Sequence, residues 1–124
     1  MTRRWLVLED DADTSFLLCE QLERHGIETR ACASVAEAQD AVEDFEPAVV
    51  LADKHVGDTS GLDLFHLARP ACVRVALLLS GERVSAVMLA ASRFDGQHQK
   101  PIDVMRLLDE VEQRLEQRAA TPRP

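Results

Sequence analysis

The chain has 124 residues, 14 Lys and Arg against 22 Asp and Glu, a formal net charge of −8 and 46% hydrophobic residues. That length holds one globular domain and not two, and the acidic balance lacks the clustered Lys and Arg that grip nucleic-acid phosphates or an anionic membrane surface. No apolar run approaches the roughly 20 residues that span a bilayer, and the run after Arg4 ends at Glu9, too soon for a secretory signal, so the sequence reads as cytoplasmic.

In chain order, Trp5-Leu6-Val7-Leu8 is an unbroken apolar run that stops at Glu9-Asp10-Asp11, the pattern of a strand buried on both faces. Asp13-Thr14-Ser15 offers caps for a first helix that carries Phe16, Cys19 and Leu22 and ends near His25-Gly26. A weaker, half-alternating strand follows over 27–33. Ser34, with Glu37 three residues on, makes a capping box for a second helix whose Val35, Ala38, Val42 and Phe45 share one face. Ala48-Val49-Val50-Leu51-Ala52 is a third strand, ending at Asp53. A short helix is expected over 62–68, stopped before Pro70, then a strand over 73–79 ending at Ser80-Gly81, and a fourth helix over 82–93. The fifth strand, Gly96-Gln97-His98-Gln99, leads through Lys100-Pro101 into a last helix whose face is Val104, Leu108, Val111 and Leu115. On this reading residues 1–118 are the domain and 119–124 a disordered tail.

Strands alternating with helices give a parallel sheet covered on both faces. Five such units suit an α/β fold with a doubly wound five-stranded parallel sheet, order 2-1-3-4-5, the flavodoxin-like (βα)5 arrangement. Ligands of such sheets bind beyond the carboxyl ends of the strands where the order reverses, here between the first and third. Glu9, Asp10, Asp11, Asp53, Ser80 and Lys100 all fall at strand ends. Carboxylates brought together there repel one another unless a cation sits among them, and oxygen ligands with retained water fit Mg2+. Asp53 is the candidate nucleophile, because a carboxylate can take a phosphoryl group when cations offset the charge of the transferring group. Lys100 would supply a point charge to one phosphoryl oxygen, Ser80 a hydroxyl hydrogen bond to another, and Mg2+ on Glu9 and Asp10 a bridge to the third. Cys19, Cys32 and Cys72, odd in number and without a Cys-x-x-Cys pair, read as buried free thiols.

The segments Trp-Leu-Val-Leu-Glu-Asp-Asp (5–11), Ala-Val-Val-Leu-Ala-Asp (48–53), Gly-Leu-Asp-Leu (61–64), Leu-Leu-Leu-Ser-Gly (77–81) and Lys-Pro-Ile (100–102) resemble the receiver domain of two-component response regulators, from Arg4 to about Arg118. The resemblance implies that Glu9 and Asp10 hold Mg2+, that Asp53 is the phospho-acceptor, and that the carbonyl of His55 is a backbone metal ligand. It implies Ser80 as the switch hydroxyl and Lys100 as the lysine before a proline whose preceding bond is often cis. It further implies a donor, a histidine kinase or phosphotransfer protein, a downstream protein target, and no enzymatic activity beyond self-catalysed phosphorylation and hydrolysis. With no output domain in the sequence, the effect is exerted through a protein contact, or the chain is a fragment of a longer regulator.

Three features depart from the receiver pattern. Gln97 stands where receivers usually carry an aromatic that turns inward when the hydroxyl moves, with Phe94 as a candidate steric substitute, and the whole fifth strand is too polar for one packed between two helices. Gly57 and Asp58 follow the acceptor where a proline is common, which predicts a more mobile loop. Val84, Val87, Met88 and Leu89 are more apolar residues than one inner helix face needs, read either as a wide buried face or as a homodimer or partner surface along the fourth helix, fifth strand and fifth helix. His25, His66 and His98 do not have metal-ligand spacing; His55, beside the acceptor, is read either as a solvated loop residue or as one that tunes phosphate lifetime. Arg106, Arg114, Arg118 and Arg123 lie among acids and make no DNA-binding helix. Two other functions compete: a receiver-like interaction module that works without phosphorylation, and, more remotely, a haloacid-dehalogenase-like phosphatase using Asp11 as nucleophile and Asp13 as acid/base in Asp11-Ala-Asp13-Thr14.

Overall fold

The computed structural model describes residues 3–120. The elements are β1 (Arg3–Leu8), α1 (Ala12–Glu23), β2 (Ile27–Cys32), α2 (Val35–Phe45), β3 (Val49–Asp53), the two-residue strands β4 (His55–Val56) and β5 (Thr59–Ser60), a 3₁₀ turn at Gly61–Asp63, β6 (Val75–Ser80), α3 (Ala86–Ala91), β7 (Gly96–Gln99) and α4 (Val104–Ala120). The main sheet is parallel throughout, in the order β2-β1-β3-β6-β7. With the small β4–β5 hairpin set aside, this is the doubly wound order expected.

Alternation along the strands splits the core in two. Leu6, Leu8, Val50 and Ala52 join Ala38, Val42, Phe65 and Leu89 on one face, while Trp5, Val7, Val49 and Leu51 join Leu18, Leu22, Leu107 and Val111 on the other. Every residue of β3 is buried, as is every residue of β6. Burying a Val or Leu side chain contributes roughly 1.5–3 kcal/mol over its exposed state, so the strands that carry Asp53 and Ser80 are firmly held. Cys19 and Cys32 are buried and Cys72 half-buried, all free. Burial pushes the three thiols up, Cys32 to about 11, so they stay protonated and unreactive.

The helices differ from expectation in instructive ways. The cap of α1 is Asp11, whose carboxylate accepts from the Thr14 amide at 3.0 Å and from the Thr14 hydroxyl, not a residue of 13–15. Its buried stripe is Ser15, Leu18, Cys19 and Leu22, which leaves Phe16 largely exposed, about one residue's rotation off that stripe. Ser34 caps α2, its Oγ accepting from Glu37 N at 3.1 Å, while the Glu37 carboxylate accepts from Ala33 N at 3.2 Å, one residue earlier than in a strict capping box. In α4 the buried stripe includes Leu107, with Val104 and Leu115 only partly covered. The helix runs to Ala120, two residues into the stretch expected as a tail, and the remainder of that tail lies outside the described residues.

No α-helix forms over 62–68; the 3₁₀ turn is followed by irregular chain up to Val75. The carbonyls of Phe65 and His66, which a helix would bond internally, instead accept from the Arg93 guanidinium at 2.9 and 3.3 Å. Leu64, Phe65 and Val73 still turn into the core, so the crossover covers the sheet without a helix. Helix α3 begins at Ala86, four residues later than expected, because Ser85 caps it by accepting from Met88 N at 3.1 Å.

The polar β7 is an edge strand, bonded to β6 alone, and its side chains find polar partners. His98 Nε2 lies 2.7 Å from Glu110 Oε1, and Arg114 Nε donates to the other Glu110 oxygen at 2.8 Å, joining β7 to α4. Burial works against the Glu110 charge, but the hydrogen bond from Arg114 and the nearby His98 outweigh it and hold the carboxyl below its ordinary value. A depressed carboxyl adds stability above the unfolded pKa and loses it as the pH falls through the native one. Because the pair is partly solvated, Glu110→Gln is expected to cost only about 1 kcal/mol at neutral pH. Urea denaturation should show that difference shrinking as the pH is lowered below the carboxylate range.

Candidate functional site

The carboxyl edge of the sheet gathers the chemistry. Glu9 follows β1, Asp53 closes β3, Ser80 closes β6 and Lys100 follows β7. Lys100 Nζ lies 3.0 Å from Asp53 Oδ2 and 3.2 Å from Glu9 Oε1, so one ammonium bridges two largely buried carboxylates. Its backbone N–H donates to the Ser80 carbonyl at 2.8 Å, which ties the lysine to the end of β6. The Lys100–Pro101 bond is cis, as the resemblance implies.

Asp10 is exposed and accepts from the Gly57 amide at 2.9 Å. Glu9, Asp10 and Asp53 each offer an oxygen, and these oxygens all lie within 4.8 Å of one another. Among the described residues this is the one group of His, Cys, Asp and Glu side chains with that geometry. Ser80 is buried, and its Oγ accepts from Glu82 N at 3.1 Å, leaving its own hydrogen free to donate. His55 is exposed on β4, two residues beyond Asp53.

Electrostatics follow from this packing. Burial raises the Glu9 carboxyl above its usual value against the lowering effect of the Asp11 amide, and the neighbouring Asp53 adds to the rise. Asp10 is held below the usual range, first by the Gly57 amide. Burial disfavours the Lys100 ammonium, yet its hydrogen bonds to Asp53 and Glu9 more than compensate and lift its pKa. Three carboxylates against one ammonium leave an excess of negative charge with hard oxygen donors, which fits a divalent cation such as Mg2+.

The loop after Asp53 carries regular structure. His55–Val56 and Thr59–Ser60 pair as an antiparallel hairpin, with Gly57 in the left-handed region at φ 59° and Thr59 Oγ1 donating to Val56 O at 2.8 Å. Gly61 then passes so close to β3 that a Cβ there would meet the Asp53 carbonyl oxygen at 2.0 Å. That role was hidden in the sequence, although Gly61 opens one of the motifs.

The other singled-out residues fall elsewhere. Phe94 packs its ring on Phe65, centroids 5.4 Å apart, inside the core. Val84 and Leu89 are buried, whereas Val87 and Met88 are exposed. His25 and His66 bond backbone carbonyls of Gln21 and Asp63 at 3.0 Å each. Asp11 and Asp13 are exposed at the start of α1, with Asp11 engaged by Thr14 and its carboxyl lowered by that hydroxyl. Among the described residues, no helix is long and apolar enough to cross a membrane.

No family model matches the sequence, and no curated protein matches it. Solved structures do match. A response regulator receiver domain protein (CheY-like) from Methanospirillum hungatei JF-1 superposes with TM-score 0.84 at 22% identity, covering 94% of this chain and 96% of its own. A two-component response regulator from Clostridium difficile gives 0.82 at 20% identity, with 97% and 100% covered. Chemotaxis protein CheY4 of Vibrio cholerae gives 0.83 at 18% identity, with 91% and 98% covered. The fold is therefore that of the CheY-like receiver domains, over nearly the whole chain. At such identities the likeness extends to the fold and stops there; the acidic cluster is this chain's own.

Proposed function

We propose that this chain is a two-component receiver that accepts a phosphoryl group on Asp53 from a histidine kinase or phosphotransfer protein in a Mg2+-dependent reaction. The observation that carries the reading is Lys100 Nζ held between Asp53 Oδ2 at 3.0 Å and Glu9 Oε1 at 3.2 Å. It stands beside three carboxylates whose oxygens lie within 4.8 Å of one another. In the transfer, an Asp53 oxygen forms a bond to phosphorus while the bond from phosphorus to the donor breaks, its electron pair leaving with the donor. Lys100 offsets charge on the phosphoryl group, and the Ser80 hydroxyl donates to one of its oxygens. Glu9, Asp10, Asp53 and the His55 carbonyl would hold Mg2+, which when bound neutralises further phosphoryl charge. Hydrolysis of the acyl phosphate by water returns Asp53 to its resting state, and the protein has no other catalytic role.

Phosphorylation adds acceptor oxygens and negative charge next to Ser80. The response is a shift between two states of the α3–β7–α4 face, whose exposed Val87 and Met88 offer a contact for a downstream protein or a second copy of this chain. The reading places the protein in the cytoplasm, with 1–118 as the signalling domain and no contact with nucleic acid or membrane.

Incubation with acetyl phosphate and Mg2+, read by intact mass, is expected to add one phosphoryl group, and a chelator is expected to prevent it. A chain that stays unlabelled under both conditions would instead be a receiver-like module that signals by binding alone.

A further inference from the structure

Between Ser80 and α3 the chain runs without regular structure, fastened by side chains at successive points. Ser80 Oγ accepts from Glu82 N at 3.1 Å, and Gln99 Nε2 donates to the Gly81 carbonyl at 3.1 Å. Gln97 grips Val84 twice: its Oε1 accepts from Val84 N–H at 2.8 Å and its Nε2 donates to Val84 C=O at 2.7 Å. Val84 is only 7% exposed, so these backbone groups have little access to water as an alternative. A carboxamide can donate and accept in one plane, which is what pairing with both groups of a single residue demands. An aromatic side chain cannot do this, and the polar residue that breaks the apolar pattern of β7 thereby acquires a task.

We propose that Gln97 is a positioning residue that couples Ser80 to α3: its carboxamide clamps the 81–85 loop in the resting register, and the loop follows Ser80 only when that clamp opens. Leu78 and Ser80 of β6 pair in register with Gln97 and Gln99 of β7, so the switch hydroxyl and the clamp sit on one ladder while Val84 hangs from it. A Ser80 hydroxyl that turns toward a phosphoryl oxygen changes its bond with Glu82, the first tether; the double bond at Val84 is then what still holds α3 back. A net factor of about 5 per hydrogen bond makes the clamp worth on the order of 30-fold in the resting-to-open equilibrium. The trigger rests on the Asp53 reading; the clamp itself does not.

The test uses the full chain and two variants. Gln97→Met keeps length and loses both bonds, and Gln97→Glu keeps the acceptor for Val84 N–H but loses the donor to its carbonyl. Amide hydrogen exchange at Val84, without any phosphoryl donor, is expected to accelerate on the order of 30-fold in Gln97→Met and by less in Gln97→Glu. In the same Met variant, NMR resonances of 81–91 are expected to move toward the positions that beryllofluoride with Mg2+ induces in the wild type, while acetyl phosphate still labels Asp53. Wild-type exchange at Val84 in Gln97→Met, or unmoved 81–91 resonances, overturns the proposal. A wild-type protein that ignores beryllofluoride overturns the receiver reading and the trigger with it, and the exchange rates still decide whether the clamp holds the loop.

Discussion

Lys100→Met is expected to slow acetyl-phosphate labelling of Asp53 by about two to three orders of magnitude, the usual consequence of removing one preorganised charge from a transition state. Methionine keeps an unbranched apolar stem of nearly the same length and removes the ammonium. Among the described residues, Lys100 is the one cation in hydrogen-bonded ion pairs with both Asp53 and Glu9. Its loss therefore strips the transferring group of a fixed countercharge and leaves two largely buried carboxylates facing each other. Glu9, already raised by burial and by Asp53, would rise further, which weakens its hold on a divalent cation at neutral pH. A time course of intact mass measures the rate, and equal rates in wild type and variant would remove Lys100 from the chemistry.

Gly61→Ala is the second large effect, and it acts through the backbone. The new Cβ would stand 2.0 Å from the Asp53 carbonyl oxygen, 3.1 Å from its carbonyl carbon and 3.3 Å from the Ala52 side chain. None of these is a flexible chain end that can swing away, because β3 is buried at every position. Gly61 must back off, which strains its own hydrogen bond to Lys54 O at 2.9 Å and shifts the chain end that presents Asp53. Overpacking of this kind costs about 3 kcal/mol, a large share of the ~5–15 kcal/mol that holds a typical domain. Gly81→Ala serves as the comparison, since a Cβ there has nothing within 4 Å among the described residues and its cost is expected to stay below about 0.5 kcal/mol. Urea denaturation of both variants checks the pair, and labelling should be slowed in Gly61→Ala as Asp53 is displaced.

What the sequence made legible was set by burial. β1, β3 and β6 are covered on both faces, so they appear as unbroken apolar runs, and their polar endings mark where Glu9, Asp53 and Ser80 emerge. Lys100 follows a strand that is itself polar, so it was marked by the proline after it and by the Lys-Pro-Ile segment rather than by the end of an apolar run. The helix expected over 62–68 failed because Leu64 and Phe65 face inward for tertiary reasons, while Arg93, more than twenty residues away, takes the carbonyls a helix needs. No local pattern announces that exchange. The late start of α3 has a similar origin, in the bonds that Ser85 and Gln97 make around Val84. β7 looked too polar for a strand packed between two helices because its polar side chains bind a loop and a helix. Gly61 could be quoted as part of a motif, but its reason, a close pass over the Asp53 carbonyl, exists only in three dimensions.

Transfer to Asp53 would leave an acyl phosphate at that position. Borohydride reduces an aspartyl phosphate to homoserine, so wild-type protein incubated with acetyl phosphate and Mg2+, reduced, digested and sequenced by mass spectrometry reports the position directly. Homoserine is expected at position 53 and none in Asp53→Ala; unreduced Asp53 in a labelled protein, or homoserine at position 11, would remove Asp53 as the acceptor.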